Sequence, residues 1–144
     1  FSLLILVFTQ IAIGAFVSGM DAGKIYNSWP LMGTTFFPND NSLYKLFKIT
    51  AFSEPSLVQF MHRNLAYIIL GVYLITLYII ISNKLVRFNQ TILILGLILF
   101  LQIVLGILTV TSGAQMFVAS MHQISSILLV SFSVYFLFIN TKKN

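Results

Sequence analysis

Four long apolar stretches dominate the chain, at about residues 1–19, 57–81, 91–110 and 116–139. Crossing the hydrocarbon core of a bilayer takes about 20 mostly apolar residues in a helix. Each stretch is apolar all round, so the pattern predicts membrane spans, not amphipathic helices with one face in water. The second connection, Ser82 to Gln90, is short and polar. The third, Thr111 to Gln115, is tighter and carries Gly113. The first, residues 20–56, is long and holds all three acids (Asp21, Asp40, Glu54) and all three prolines (Pro30, Pro38, Pro55). Within it Leu43, Leu46 and Phe47 lie three and four apart, with Lys45 and Lys48 turned away. That spacing predicts a short amphipathic helix on the membrane surface. The fold class is therefore all-α, a polytopic membrane four-helix bundle forming a single domain over 1–144.

Composition agrees with lipid as the solvent. Hydrophobic residues make up 58% and charged residues 8%, against about 25% charged in soluble domains. The net charge of +5 forms no basic stripe that could track phosphates, which argues against a nucleic-acid partner. The cations instead flank apolar runs, as they do at membrane boundaries. Lys84, Arg87, Lys142 and Lys143 crowd two short segments, whereas Lys24, Lys45, Lys48 and Arg63 lie toward the other side. Cations close to span ends weigh most in setting orientation. The second connection and the C-terminus are therefore expected in the cytoplasm, with the long loop outside. With no cysteine, disulfides, thiolate metal sites and Cys nucleophiles are absent. The chain opens Phe1-Ser2-Leu3, inside an apolar run and without a signal-peptide pattern, and reads as a fragment lacking an N-terminal half.

The chain also repeats itself. The first span contains Gln10-Ile11-Ala12-Ile13-Gly14 and the third Gln102-Ile103-Val104-Leu105-Gly106. The second opens Val58-Gln59-Phe60-Met61-His62 and the fourth Val118-Ala119-Ser120-Met121-His122. The unit is a helix with Q-I-x-x-G followed by a helix opening V-x-x-M-H. Two such pairs in one orientation imply a pseudo-twofold axis along the membrane normal. Gly14 and Gly106 are expected to let the first and third spans approach closely, with Ala15 and Gly19 adding a pair of small residues.

The repeat puts the chain's two histidines, His62 and His122, at matching depth on the outer side. An ionisable residue inside a span is costly and is a functional candidate. Two imidazoles facing each other across a twofold axis can supply both axial ligands of a haem iron. One, two and three turns below His62 come Ala66, Ile69 and Tyr73, and below His122 come Ser126, Leu129 and Ser133. The small residues nearest each histidine leave room for a flat ring. Other readings stay open. Zinc wants three or four ligands, more than these spans offer, and a proton relay wants further titrating groups. Two histidines hydrogen-bonded across helices need no cofactor at all. Met61 and Met121 point about 100° away from the neighbouring histidines and read as packing. Arg63, at the outer end of its span, can clamp a haem propionate or snorkel to the interface.

One long run is specific. Gly14-Ala15-Phe16-Val17-Ser18-Gly19-Met20-Asp21-Ala22-Gly23, followed by Tyr26-Asn27-Ser28-Trp29-Pro30-Leu31-Met32, resembles the C-terminal half of the haem A synthase family. So do Val58 to Arg63 and Leu101 to Thr109. The resemblance implies an eight-helix membrane enzyme of two similar halves, in the bacterial cytoplasmic membrane or the mitochondrial inner membrane. Such an enzyme oxidises a methyl group of haem O to the formyl group of haem A for cytochrome oxidase. It further implies that this half holds haem b, an iron porphyrin, between residues matching His62 and His122. The catalytic glutamate belongs to the other half, three residues before that half's own first histidine. Gln59 stands at that position here and cannot ionise.

The expectation is accordingly an oxidoreductase part, the cofactor side of a haem A synthase, with no catalytic residue of its own. Its expected partners are haem, membrane lipid, the N-terminal half or a second copy, an electron donor, and haem O synthase or cytochrome oxidase assembly proteins. The alternatives are a stand-alone bis-histidine membrane cytochrome and a non-catalytic assembly factor. Asp21 is expected to brace the loop and Trp29 to anchor it at the interface.

Overall fold

The computed structural model describes residues 1–141, so Lys142 and Lys143 of the charge argument lie outside the described residues. Helix α1 spans Ser2–Gly19, α2 Leu43–Leu46, α3 Pro55–Ser82, α4 Asn89–Thr111 and α5 Met116–Thr141. All but α2 are long and apolar enough to cross a membrane. In lipid the backbone must satisfy its own polar groups, and a helix does so within one segment. Pro55 opens α3 at its first turn, where its missing N–H costs nothing. Between α4 and α5 the chain reverses through Gly113 and Ala114, at φ 69° and 59°. Gly113 adopts that left-handed backbone without strain.

The bundle closes as a ring. Helix α1 packs on α3 and α4 on α5, while α1/α5 and α3/α4 complete the circuit. The diagonals α1/α4 and α3/α5 pack less closely than any of these four pairs. Exchanging α1 with α4 and α3 with α5 maps this ring onto itself, so the sequence repeat has a structural counterpart. The apolar core draws on all four long helices, with Leu3, Val7, Ile69, Tyr73, Ile80, Ile92, Leu95, Leu99 and Leu129. Tyr73 crosses from α3 to α4 and donates to the Ile92 carbonyl at 3.1 Å. Gly96 makes that crossing possible, because a Cβ there would run into the Tyr73 ring.

The long loop folds over one end of the bundle. Ala22, Met32 and Ala51 are buried, as are Leu57 and Val58 at the start of α3. The expected amphipathic helix is a single turn. Helix α2 stops at Leu46, and the extended backbone at Lys48 (φ −102°, ψ 150°) separates it from the next 3-10 segment. Leu43, Tyr44 and Phe47 stay exposed. Lys45 pairs with Glu54 at 3.2 Å, and the Lys48 ammonium lies 4.3 Å from the Tyr44 ring centre.

Candidate functional site

His62 and His122 lie about two turns into α3 and α5, at the end of the bundle that the loop covers. Each is held by the helix paired with its own. On α1 the Gln10 amide nitrogen donates to the His62 carbonyl at 3.0 Å and lies 3.3 Å from His62 Nε2. One turn further on, Gly14 backs the imidazole, and a Cβ at that glycine would stand 3.0 Å from His62 Cε1. The second pair repeats the arrangement. Gln102 on α4 donates to the His122 carbonyl at 3.3 Å and to the Ser125 hydroxyl. A Cβ at Gly106 would stand 3.2 Å from His122 Cε1.

The Q-I-x-x-G element is thus a bracket, a glutamine for the histidine's backbone and a glycine for its ring. This corrects the expectation that Gly14 and Gly106 draw the first and third spans together. Those spans are a loosely packed diagonal, and each glycine faces a histidine of its neighbour instead. Gly19 does not join a small-residue contact either, for nothing lies within 4 Å of a Cβ built there. The glutamines were visible in the repeat, but their task was not. The usable signal was that each Gln and Gly stand one turn apart on a helix whose partner carries the histidine.

The rows beneath the histidines face inward as expected. Ile69, Tyr73, Leu129 and Ser133 are buried, and Ala66 and Ser126 half-buried. Met121 is exposed and Met61 half-buried. Both histidines keep Nδ1 buried with no hydrogen-bond partner. Leaving a buried polar atom unpaired costs about 1–3 kcal/mol, so two such atoms at symmetry-related places call for an explanation. Among the described residues no three His, Cys, Asp or Glu side chains gather into a metal-binding group. Two imidazoles form an incomplete set for a bare ion. They suit a metal that brings its other ligands with it, as the iron of a tetrapyrrole does.

Arg63 fastens the loop above the site. Its guanidinium donates to the Ser28 and Leu31 carbonyls at 2.9 and 3.3 Å and to the Tyr26 carbonyl at 2.7 Å, leaving Nε buried without a partner. Gln59, one turn earlier and 2% exposed, donates to the same Tyr26 carbonyl at 3.0 Å. The repeat places Ala119 and Gln123 at the equivalent positions of α5, where the preceding turn is tight and there is no loop to hold. Within the loop, the Tyr26 hydroxyl donates to Asp40 at 2.8 Å. Burial works to raise the Asp40 carboxyl, but hydrogen bonds from Ser56 and Tyr26 outweigh it and hold it below its usual value. The Tyr26 phenol is pushed up, by burial first and then by Asp40. Asp21, expected as a brace, makes only an exposed 2.8 Å ion pair with Lys24, of a kind that adds little stability. Trp29 is 45% exposed at the loop surface.

The family model described as "Cytochrome oxidase assembly protein" (COX15-CtaA) matches residues 1–134. The chain belongs to that family. Among curated proteins it is 45% identical to the haem A synthase of Pelagibacter ubique over 139 residues, covering 96% of this chain and 40% of that protein. The haem A synthase of Rickettsia prowazekii is 36% identical over 140 residues, with 94% and 41% covered. That of Wolbachia pipientis is 36% identical over 135 residues, with 94% and 37% covered. The chain thus spans about two fifths of the length of these family members. No solved structure matches it.

Proposed function

We propose that this chain is the haem b-binding half of a haem A synthase, with His62 and His122 as the two axial ligands. The observation that carries this reading is the doubled bracket. Two histidines on diagonal helices are each seated against a glycine, each keeps an unpaired buried Nδ1, and among the described residues no third His, Cys, Asp or Glu joins them in a metal-binding group. The names of the relatives supply the reaction class.

A haem with both axial positions filled supplies one-electron transfer, since its iron has no open site for oxygen. This chain's residues hold and shield such a group. Gly14 and Gly106 leave space behind the imidazoles, and Ala66 and Ser126 keep the next turn narrow. Arg63 and Gln59 hold the Tyr26–Leu31 segment down as a lid that keeps water out. The Gln59 amide braces the loop and can neither take up nor release a proton, in keeping with an electron-relay half. Oxidation of the haem O methyl group to a formyl then falls to the remaining part of the protein or to a partner chain. The loop and the histidines face the outer side of the membrane.

The reduced-minus-oxidised visible spectrum of the detergent-purified chain tests the assignment. A sharp low-spin b-type spectrum is expected, lost or turned high-spin by His62→Ala and by His122→Ala. A folded wild-type protein that takes up no haem, alone or together with the rest of the synthase, overturns it.

A further inference from the structure

A second opening lies at the far end of the bundle from the histidines. A cleft of about 210 Å³ runs among the first turn of α1 and the last turns of α3 and α5, and the connection leading into α4 completes its lining. Leu4, Leu85, Phe88 and Phe136 make its wall largely apolar. Thr76 and Ser133 also line it, but each hydroxyl donates back to its own helix, to the Val72 and Leu129 carbonyls at 2.8 and 2.7 Å. The interior therefore suits an apolar guest. An apolar cavity of about 150 Å³ already has room for benzene, so this cleft has room for part of a hydrocarbon chain. Thr76 lies nearly two turns inside the end of α3 at Ser82, so the cleft reaches from the boundary of the span into the depth of acyl chains.

Charge narrows the kind of guest. All three acids of the sequence (Asp21, Asp40, Glu54) lie in the loop at the other end. The connection here carries Lys84 and Arg87, each directly before a residue that lines the cleft, Leu85 and Phe88. The Arg87 guanidinium lies 5.9 Å from the centre of the Phe88 ring, which sets it beside the wall. An apolar interior with a cationic rim matches an anionic amphiphile, and basic pockets between transmembrane helices recognise anionic headgroups. We infer that the cleft is a binding site for one anionic phospholipid of the leaflet opposite the loop, with an acyl chain in the cleft and the phosphate on Lys84 and Arg87. The inference does not draw on the haem assignment, since His62 and His122 lie at the opposite end of the bundle.

The test is native mass spectrometry of the delipidated chain in detergent, titrated with phosphatidylglycerol or with phosphatidylcholine of the same acyl chains. One phosphatidylglycerol is expected to bind saturably, at least about tenfold more tightly than phosphatidylcholine, with the preference falling as salt rises. Lys84→Gln combined with Arg87→Gln should erase the preference and leave phosphatidylcholine binding as it was. Leu4→Trp fills the cleft from α1 and Thr76→Phe fills it from α3. Either should abolish the saturable site for both lipids, with circular dichroism reporting that the variant is folded. Equal binding of the two lipids by the wild type overturns the inference, as does a saturable site that a folded filling variant leaves intact. A dimer that forms in place of the lipid complex, and that a filling variant breaks, gives the cleft to a second copy and also overturns it. So does loss of the lipid in the longest chain that the gene encodes, because residues preceding Phe1 would then occupy the cleft.

Discussion

At Gly14 and Gly106 a single methyl group separates two different outcomes. A Cβ at Gly14 would meet the His62 ring at 3.0 Å, and one at Gly106 would meet the His122 ring at 3.2 Å. The Gln10 amide nitrogen also lies 3.3 Å from the first ring, which leaves that ring the smaller room to retreat. Overpacking costs about 1–3 kcal/mol, and replacing a helical glycine by alanine returns up to about 1 kcal/mol. Gly14→Ala should therefore destabilise the chain by about 1–2 kcal/mol, and Gly106→Ala should be close to neutral. Thermal unfolding in detergent, followed by circular dichroism, reads the difference. Equal losses would mean that the His62 ring is as free to move as that of His122. These residues stood out in the sequence as a repeat, and the histidines as unusual occupants of a span. Their mutual contact was not legible, because it depends on which helix lies beside which.

At the level of elements, the covering loop is held by side chains from the helix that follows it. Arg63 and Gln59 lie one turn apart on α3 and converge on the Tyr26 carbonyl. Hydrogen bonds to a charged group are worth about 1.5–3 kcal/mol each, so Arg63→Ala should loosen the Tyr26–Leu31 segment by several kcal/mol. When cleavage waits on local opening it follows the population of the open form. Tryptic cutting at Lys24 should then rise by at least about tenfold in Arg63→Ala, while the span helices stay intact. An unchanged rate would show that the loop is held by the buried contacts of Ala22 and Met32 alone. Sequence placed Arg63 at a membrane boundary. It offered no sign that the guanidinium serves loop carbonyls, since backbone acceptors leave no mark in residue identity.

For the whole molecule, the even number of spans puts both ends of the bundle's chain on one side and the loop on the other. The absence of cysteine makes sidedness measurable with single introduced thiols. Ser42 in the loop and Ser82 at the end of α3 are both exposed, and serine to cysteine is nearly isosteric. A membrane-impermeant maleimide should label Ser42→Cys in intact cells and Ser82→Cys only after lysis. The reverse pattern would turn the proposed topology over. The four spans, their limits to within about two residues and the parallel repeat are all legible in the sequence. Long apolar runs can satisfy their backbone in lipid only as helices, and an internal duplication is written directly in the letters.

What the sequence by itself determined is the list of parts, namely four spans, one long connection, and two histidines introduced by matching motifs. The tertiary structure decided how those parts meet. It set the histidine helices on the diagonal of the ring, turned the glycines into seats for imidazoles, and laid the loop over them under Arg63 and Gln59. It also gave Gln102 a partner in Ser125, where the repeat-related position on α3 is the apolar Leu65. Hydropathy is a property of each segment alone, whereas hydrogen-bond partners belong to pairs of segments, and only folding brings those pairs together.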